Sequence, residues 1–415
     1  MRILLTTDAV GGVWQYTTEL AQALSTRGVE CVVAVLGLAP DEDQRGAMAP
    51  TPAKSTLSPR TRSGVHSSTS EGLSPQAVRL ASERTPEHFR GDGGGGAALS
   101  AAPITLIETG LPLDWTCADA APVLAAGKAI AALAKDHAVD LIQYNMPTLA
   151  AVGTPPVPSI AVAHGCVSTW WEAAKGTPLG QDYRWHRALT ADGLRAVDRV
   201  VAPSAAYATI VERHYRLETP VLAIHNGRTL AGAYDSAAPM ADIALIVGRL
   251  WDGVKNAALL DNAAARLPIP FLAAGASKGP HGETIRLDHL RELGHLSGEQ
   301  IAAHLAKRPI FVSAASFEPF GLAVLEAAQA GCALVLADIP TFRELWDGAA
   351  SFVPLDGGWC EAIEALVHDT PRRAALGEAA RSRAARYTPD ATADRMLALY
   401  RDVIASHPPA RKAAA

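Results

Sequence analysis

The sequence predicts an α/β protein with two doubly wound domains, each built on a parallel sheet, that face each other across a cleft. Its 415 residues are enough for two to three domains of roughly 150 residues each. Hydrophobic residues make up 49% of the chain and charged residues 19%, which is a globular composition. Buried strand patterns alternate with helical patterns in both halves, and this alternation is typical of parallel strands joined by right-handed crossovers.

Charge and cysteine content exclude several classes of function. The 37 Lys and Arg residues against 42 Asp and Glu residues give a formal net charge of −5, whereas a nucleic-acid binder needs an excess of positive charge on one face. The five cysteines are scattered without CxxC spacing, so neither a disulfide framework nor a zinc ribbon is expected. No apolar run approaches the ~20 residues that span a bilayer, and the chain opens with a strand rather than a signal region. We therefore expect a soluble cytoplasmic protein that binds no nucleic acid.

The first half, residues 1–228, predicts one doubly wound domain. A buried strand over Arg2–Thr7 is followed by a helix over Val13–Arg27 with Gly28 at the position of a C-terminal cap, and then by a strand over Glu30–Leu36. The later strands are predicted over Ile104–Ile107, Asp140–Tyr144, Pro158–Gly165, Arg199–Ser204 and Pro220–Gly227, and the later helices over Ala121–His137, Tyr183–Ala196 and Ala205–Tyr215.

Two polar segments interrupt the alternation. Asp41–Ala102 is rich in Ser, Thr, Pro, Arg and Gly and lacks apolar periodicity, so it predicts a disordered insertion. The DxD sequence at its start, Asp41-Glu42-Asp43, is interpreted as a solvated run of charges rather than a metal motif. The small, polar residues 229–241 predict an inter-domain linker.

The second half, residues 242–387, predicts a second doubly wound domain, and ligands are expected beyond the carboxyl ends of its strands. Its strands are predicted over Ile243–Val247, Pro270–Ala274, Leu287–Leu293, Ile310–Ser313 and Ala333–Ala337, and its helices over Asn256–Arg266, Ser297–Lys307, Gly321–Ala330 and Thr341–Trp346. Helices over Pro371–Tyr387 and Pro389–Ser406 each follow a Thr that offers a capping hydroxyl before proline at the first helical position. The terminal segment, residues 388–415, therefore predicts a final helix and a disordered tail.

Two carboxylates eight residues apart form the strongest candidate site. Glu318 lies in the loop after a predicted strand, and Glu326 lies within the following helix. Between them, Gly321 allows a close backbone approach to a ligand, and the free N–H groups of the helix N-terminus favour an anion such as phosphate. Glu318 would then accept hydrogen bonds from sugar hydroxyls and Glu326 would bind a ribose diol. The spacing alone equally suits an acidic residue at a helix start and a solvated helix residue.

Two cations, Arg249 and Lys255, follow the first strand of the second half. They lie six residues apart on a turn that opens into a helix, where together they can clamp two linked phosphates. The alternative is a surface pair at a helix start. Because cations at a helix N-terminus oppose the helix dipole unless an anion lies between them, the pattern favours a phosphate site.

These motifs resemble those of the retaining GT-B glycosyltransferases, the group 1 or family 4 type that includes glycogen synthase and sucrose synthase. The resemblance covers the chain outside Asp41–Ala102 and is weaker in the first half. It rests on Arg249, Lys255, the pair Glu318 and Glu326 with the centre Pro319-Phe320-Gly321-Leu322, and the turn Asn226-Gly227, with looser matches at Gly11-Gly12, His164-Gly165 and Ser204.

The resemblance implies a GT-B architecture of two Rossmann-like domains, an N-terminal acceptor-side domain and a C-terminal domain that binds a nucleotide sugar, with the last helix crossing back to the first. Arg249 and Lys255 would grip the diphosphate, Glu318 the donor sugar and Glu326 the ribose. His164 would contact the donor sugar near its anomeric carbon; a lone histidine is otherwise more often an interior residue. The implied catalytic residues are His164, Arg249, Lys255 and Glu318, and the implied donor-binding residues are Gly11, Gly12, Asn226, Phe320, Gly321, Leu322 and Glu326. Trp170-Trp171 would stack on a sugar ring or pack within a loop.

The implied activity is hexosyl transfer from a nucleoside diphosphate sugar to an acceptor hydroxyl in carbohydrate biosynthesis, with retention of configuration. No metal and no cofactor besides the donor substrate are expected, and the 13 histidines show no metal-ligand spacing. The sequence has no P-loop, and Gly11-Gly12 is not part of a GxGxxG dinucleotide fingerprint. The acceptor, a carbohydrate or a glycolipid, stays open, and no basic amphipathic helix indicates membrane association. The alternatives are a non-catalytic nucleotide-sugar-binding protein and another GT-B enzyme such as an epimerase.

Overall fold

The computed structural model describes residues 1–48, 101–229, 239–280 and 282–407, which form two fully parallel sheets covered by helices. The first sheet has the strand order β3-β2-β1-β4-β5-β6-β7. Its strands are β1 (Arg2–Asp8), β2 (Glu30–Leu36), β3 (Ile104–Glu108), β4 (Leu141–Tyr144), β5 (Ser159–Val162), β6 (Arg199–Ala202) and β7 (Leu222–Ala223). The helices of this domain are α1 (Gly12–Ser25), α2 (Glu42–Ala47), α3 (Ala120–Asp136), α4 (Val167–Lys175), α5 (Arg184–Ala196) and α6 (Ala205–Tyr215).

The second sheet has the order β10-β9-β8-β11-β12-β13. Its strands are β8 (Ala244–Val247), β9 (Phe271–Ala274), β10 (Arg291–Gly294), β11 (Ile310–Ser313), β12 (Ala333–Ala337) and β13 (Ser351–Val353). The helices are α7 (Ala257–Ala264), α8 (Gly298–Leu305), α9 (Leu322–Gln329), α10 (Pro340–Trp346), α11 (Trp359–His368), α12 (Thr370–Ala384) and α13 (Pro389–Ser406). The strand order reverses beside β1 in one sheet and beside β8 in the other, and these reversals are where doubly wound sheets bind ligands.

The predicted α/β architecture of two doubly wound domains is confirmed, and so is the crossing helix. Helix α13 follows the second domain along the chain but packs against α1 of the first. Its buried side chains Met396, Tyr400 and Val403 belong to the same apolar cluster as Ile3 and Leu24. The first domain therefore completes its core with the last helix of the described chain.

The predicted insertion is wrong at its start. Asp41 is the N-cap of α2: its Oδ1 accepts a hydrogen bond from the Gln44 backbone N–H at 2.8 Å, and Gln44 Oε1 accepts one from the Asp41 N–H at 3.0 Å. This reciprocal capping box gives the acidic run a structural role as a helix start. The rest of the predicted insertion, residues 49–100, lies outside the described residues, as do residues 230–238 of the predicted linker and residues 408–415 of the predicted tail.

Several element predictions also need correction. Helix α12 is capped by Asp369, whose carboxylate accepts from the Arg372 N–H at 2.9 Å, so Thr370 is not its cap. The Thr388 cap of α13 is confirmed by a hydrogen bond from the Ala391 N–H at 3.1 Å. Strand β10 begins at Arg291, four residues later in the chain than the predicted start at Leu287. The elements missed altogether are α2, α4, α11 and β13. None of the helices in the described part of the chain combines the length and apolar character that a bilayer span requires.

Candidate active site

Loops from the two domains meet between the carboxyl ends of the two sheets. A Cβ atom at Gly12, just after β1, would lie 3.6 Å from Leu322 Cδ1 at the start of α9. A Cβ atom at Gly165, after β5, would lie 3.8 Å from Pro319 Cγ. The Ser204 hydroxyl donates to the Pro319 carbonyl at 2.7 Å. The structure thus brings the Gly11-Gly12 and His164-Gly165 loops onto the Pro319–Leu322 loop, as expected for a cleft site.

Lys255 and Glu318 form one ion pair of this cleft. Lys255 ends a short 3-10 turn after β8, and Glu318 lies in the loop between β11 and α9. Their Nζ and Oε2 atoms are 2.6 Å apart, and each side chain is about four-fifths buried. A ligand that binds Lys255 and Glu318 separately must therefore break this ion pair.

Arg249 forms the second pair, with Asp252. Its Nη2 lies 2.8 Å from Asp252 Oδ2, yet the Arg249 side chain stays 63% exposed while Asp252 is 1% exposed. The Asp252 carboxylate also accepts from the indole N–H of Trp170 at 2.9 Å, so it joins the two domains. The helix-dipole argument for a bound anion is therefore wrong, because the protein itself supplies a carboxylate to each cation. Sequence reasoning missed Asp252, which lies between the two cations in the chain.

The N-terminus of α9 lies beside Glu318. Gly321 is its N-cap with φ +93°, a left-handed conformation that favours glycine. A Cβ atom there would lie 3.3 Å from both Glu318 Cγ and Phe342 Cε1. No side chain caps α9 and its first turn holds no acidic residue, so its terminal N–H groups are suited to an anion.

Glu326 is held by an arginine that sequence reasoning missed. Arg228 Nε donates to Glu326 Oε1 at 2.6 Å, and Arg228 Nη1 donates to Glu19 Oε1 at 3.1 Å. Glu19 belongs to α1, Arg228 follows the Asn226-Gly227 turn and Glu326 belongs to α9, so this triad ties both domains to the segment between them. The interpretation of Glu326 as a solvated helix residue is therefore wrong. The sequence did contain a signal for this arginine: Glu19, next to Leu20, is an acidic residue on a largely buried helix and therefore needs a cationic partner.

His164 lies half-buried just beyond β5. Its Nε2 is 3.1 Å from Asn145 Oδ1, and the ring of Tyr16 packs edge-on against it with centroids 4.5 Å apart. Burial lowers the pKa of His164 to about 3, so the imidazole is neutral at pH 7.

Other predicted residues lie away from the open cleft. Asn226 is buried, and a Cβ atom at Gly227 would lie 2.1 Å from the Thr388 carbonyl, which places this turn against the start of α13. The Phe320 ring is buried against Tyr387 with centroids 5.8 Å apart, so only its backbone could reach a donor. Trp170 and Trp171 lie in α4, not in a loop.

In the described part of the chain, no group of three or more His, Cys, Asp and Glu side chains is arranged to hold a metal ion.

Two doubly wound domains, a cleft between their strand ends and a last helix that returns to the first domain define the GT-B class of glycosyltransferases. Residues 78–231 match the family model described as Glycosyltransferase Family 4, and residues 240–383 match Glycosyl transferases group 1. Residues 78–100, 230–231 and 281 of these matches lie outside the described structure. The chain belongs to this family of glycosyltransferases, with one domain of each kind.

Solved structures share the fold over nearly the whole chain. The sucrose-phosphate synthase from Thermosynechococcus elongatus is 17% identical with a TM-score of 0.68, and the match covers 98% of this chain and 100% of that one. Anabaena Alr3699/HepE in complex with UDP-glucose is 15% identical with a TM-score of 0.63, and the match covers 97% and 100% of the two chains. A D-inositol 3-phosphate glycosyltransferase from Stackebrandtia nassauensis is 37% identical over 91 residues, which are 21% of this chain and only 20% of that relative.

Proposed function

We propose that this glycosyltransferase moves a hexosyl group from a nucleoside diphosphate sugar to an acceptor hydroxyl with retention of configuration, without a metal or a cofactor besides the donor. The observation that supports this most directly is the meeting of Lys255, Glu318 and the uncapped N-terminus of α9 with the Gly11-Gly12 loop of the other domain. The complex of Alr3699/HepE with UDP-glucose supports a donor of this type.

In this proposal the diphosphate lies at the N-terminus of α9 and takes the place of internal partners. Lys255 leaves Glu318 for a phosphate oxygen, and the exposed Arg249 swings from Asp252 to the second phosphate. Glu318 is then free to accept a hydrogen bond from a donor-sugar hydroxyl. Once in place, the two cations and the N-terminus of α9 stabilise the negative charge that grows on the leaving diphosphate.

Transfer then follows front-face attack. The acceptor hydroxyl enters from the first domain, on the side from which the diphosphate leaves, so configuration is retained without a protein nucleophile. Closure of the two domains over the donor excludes water, which limits hydrolysis of the donor. The acceptor is a carbohydrate or a glycolipid.

A thermal-shift panel of UDP-, GDP- and ADP-sugars tests the donor. One nucleotide family should stabilise the protein by about 2.7 kcal/mol at 100 times its Kd, and Arg249→Ala should lose most of this gain. Arg266→Ala is the matched control, because Arg266 follows the end of α7 and is exposed, with a 3.9 Å contact to Glu361. No shift with any sugar would contradict the proposal.

Product analysis separates the alternatives. Transfer that continues in the presence of a chelator supports a metal-independent enzyme. A product whose NMR spectrum shows the donor's anomeric configuration supports retention. Donor binding without turnover across an acceptor panel would favour a non-catalytic nucleotide-sugar-binding protein, and a changed sugar without transfer would favour an epimerase.

A further inference from the structure

A chain of buried polar side chains links the last helix to His164. The Tyr400 hydroxyl of α13 donates to Gln143 Oε1 in β4. Gln143 Nε2 donates to Asn145 Oδ1 at 2.9 Å, and His164 Nε2 lies 3.1 Å from the same oxygen. Tyr400, Gln143 and Asn145 are all buried, so water does not compete for these hydrogen bonds.

The direction of each hydrogen bond in this chain is fixed by its neighbours. Asn145 Nδ2 lies 2.8 Å from the Thr6 carbonyl, which can only accept. It also lies 3.0 Å from Thr17 Oγ1, whose own hydrogen goes to the Val13 carbonyl at 2.8 Å. The amide of Asn145 therefore cannot be reversed, and its Oδ1 is an acceptor only.

It follows that the single proton of neutral His164 resides on Nε2. The other ring nitrogen, Nδ1, then carries a lone pair, and it has no hydrogen-bond partner among the residues that the structure describes. Burial alone lowers the pKa of His164, with no charged side chain acting on the ring. The titratable group that packs against it, Tyr16, stays neutral because burial raises the pKa of its phenol.

We propose that Asn145 is a positioning residue that holds His164 as the Nε2–H tautomer, so that Nδ1 accepts a hydrogen bond from a hydroxyl of the donor sugar. This inference rests on the proposed function. It assigns to Asn145, Gln143 and Tyr400 the task of orienting His164 in the cleft. Because α13 ends this chain of hydrogen bonds, docking of the last helix and orientation of His164 are coupled.

Asn145→Asp tests the assignment. A carboxylate can still accept from His164 Nε2, but its charge favours the protonated imidazolium and raises the pKa of His164. Protonation occupies Nδ1, so transfer by the variant should fall about tenfold per pH unit below the new pKa, whereas His164 leaves wild-type transfer flat between about pH 5 and pH 8. Asn262→Asp makes the same change on the exposed face of α7 and should keep the wild-type profile.

Nitrogen-15 NMR of the wild-type imidazoles gives a readout that needs no activity, and His164 is assigned from the signal that a folded His164→Gln variant lacks. We expect an Nε2–H tautomer that does not titrate above about pH 5. A proton on Nδ1, titration near the ordinary pKa, or an Asn145→Asp pH profile that matches wild type would each overturn the inference. Wild-type protein that shows the Nε2–H tautomer but transfers no sugar would overturn the proposed function and leave the positioning of His164 supported.

Discussion

At the residue scale, Arg228 joins the two domains more directly than any motif read from the sequence. Its guanidinium pairs with Glu19 at 3.1 Å and with Glu326 at 2.6 Å, and all three side chains are more than four-fifths buried. Removing the arginine leaves two carboxylates that are largely desolvated and without their cation, which is the costly way to break such a network.

We expect Arg228→Met to lower the free energy of unfolding by about 2 kcal/mol, below the roughly 3–5 kcal/mol of a fully buried pair, because water reaches part of this one. Urea denaturation measures the change. The control Arg266→Met breaks an exposed 3.9 Å contact and should change stability by less than about 0.5 kcal/mol. Equal effects of the two variants would contradict a special role for Arg228.

Spacing in the sequence singled out four residues of the ion pairs in the cleft, but not Arg228 and Asp252, which complete two of these pairs. Arg249, Lys255, Glu318 and Glu326 were singled out by their distances along the chain, and all four are in ion pairs. Arg228 was missed because its partners lie 98 and 209 positions away in the chain. Long-range pairs of this kind leave no periodic signal in a single sequence.

At the element scale, Glu344 of α10 caps helix α6 of the other domain. Its two carboxylate oxygens accept from the Ala205 and Ala206 N–H groups at 2.9 and 2.7 Å, and His225 Nε2 lies 2.8 Å away. Burial by itself raises the pKa of Glu344, but these hydrogen bonds outweigh it, so the net pKa lies below the ordinary 4.5. The charged form therefore stabilises the contact between the two helices.

Glu344→Gln should cost about 1 kcal/mol at pH 7, since it removes negative charge from a helix N-terminus. A lowered pKa in the folded state stabilises above the unfolded pKa, and this contribution is lost as pH falls through the folded value. The difference in Tm between wild type and variant should therefore shrink below about pH 4. The exposed Glu364→Gln should show no such pH-dependent difference, and a constant gap would contradict the assignment.

Helix α5 lies in close contact with the 3-10 turn at Pro147–Val152. A Cβ atom at Gly193 would lie 1.9 Å from the Pro147 carbonyl oxygen, so backbone must move to admit it. Gly193→Ala should destabilise the protein by about 2 kcal/mol, as overpacking does. At Gly46 in α2 a Cβ atom meets nothing within 4 Å, so Gly46→Ala should be neutral or stabilise by up to about 1 kcal/mol. Thermal unfolding of both variants checks the contrast.

Long periodic elements were the easiest to predict. Glu30–Leu36, Ala205–Tyr215 and Pro389–Ser406 match the observed bounds, because strand or helical spacing persists through each. Strand β13 was missed since its three residues are too few to show a period. Helix α4 was missed because it buries only Ser168 and Thr169, so it has no apolar face that would show helical spacing.

At the scale of the whole molecule, the two domains share one chain but not their cores. Met396 in α13 is fully buried in the first domain, although it follows the second domain in sequence. Met396→Ala should lower the unfolding transition of the first domain by about 2–4 kcal/mol and leave that of the second unchanged. Leu325→Ala, buried in the second domain, should do the reverse. Calorimetry distinguishes them, and a common shift of both transitions would contradict separate cores.

The crossing of α13 has a consequence for how the protein is made. A ribosome delivers the seven strands of the first sheet early, but the helix that completes their core is encoded at Pro389–Ser406. At about 5–20 residues per second, the wait between the end of β7 and the end of α13 is on the order of 10–40 s. During that time the nascent first domain exposes the apolar surface that Met396 and Tyr400 will cover. Translation speed through the second domain thus sets how long this surface is open to chaperones or to neighbouring chains.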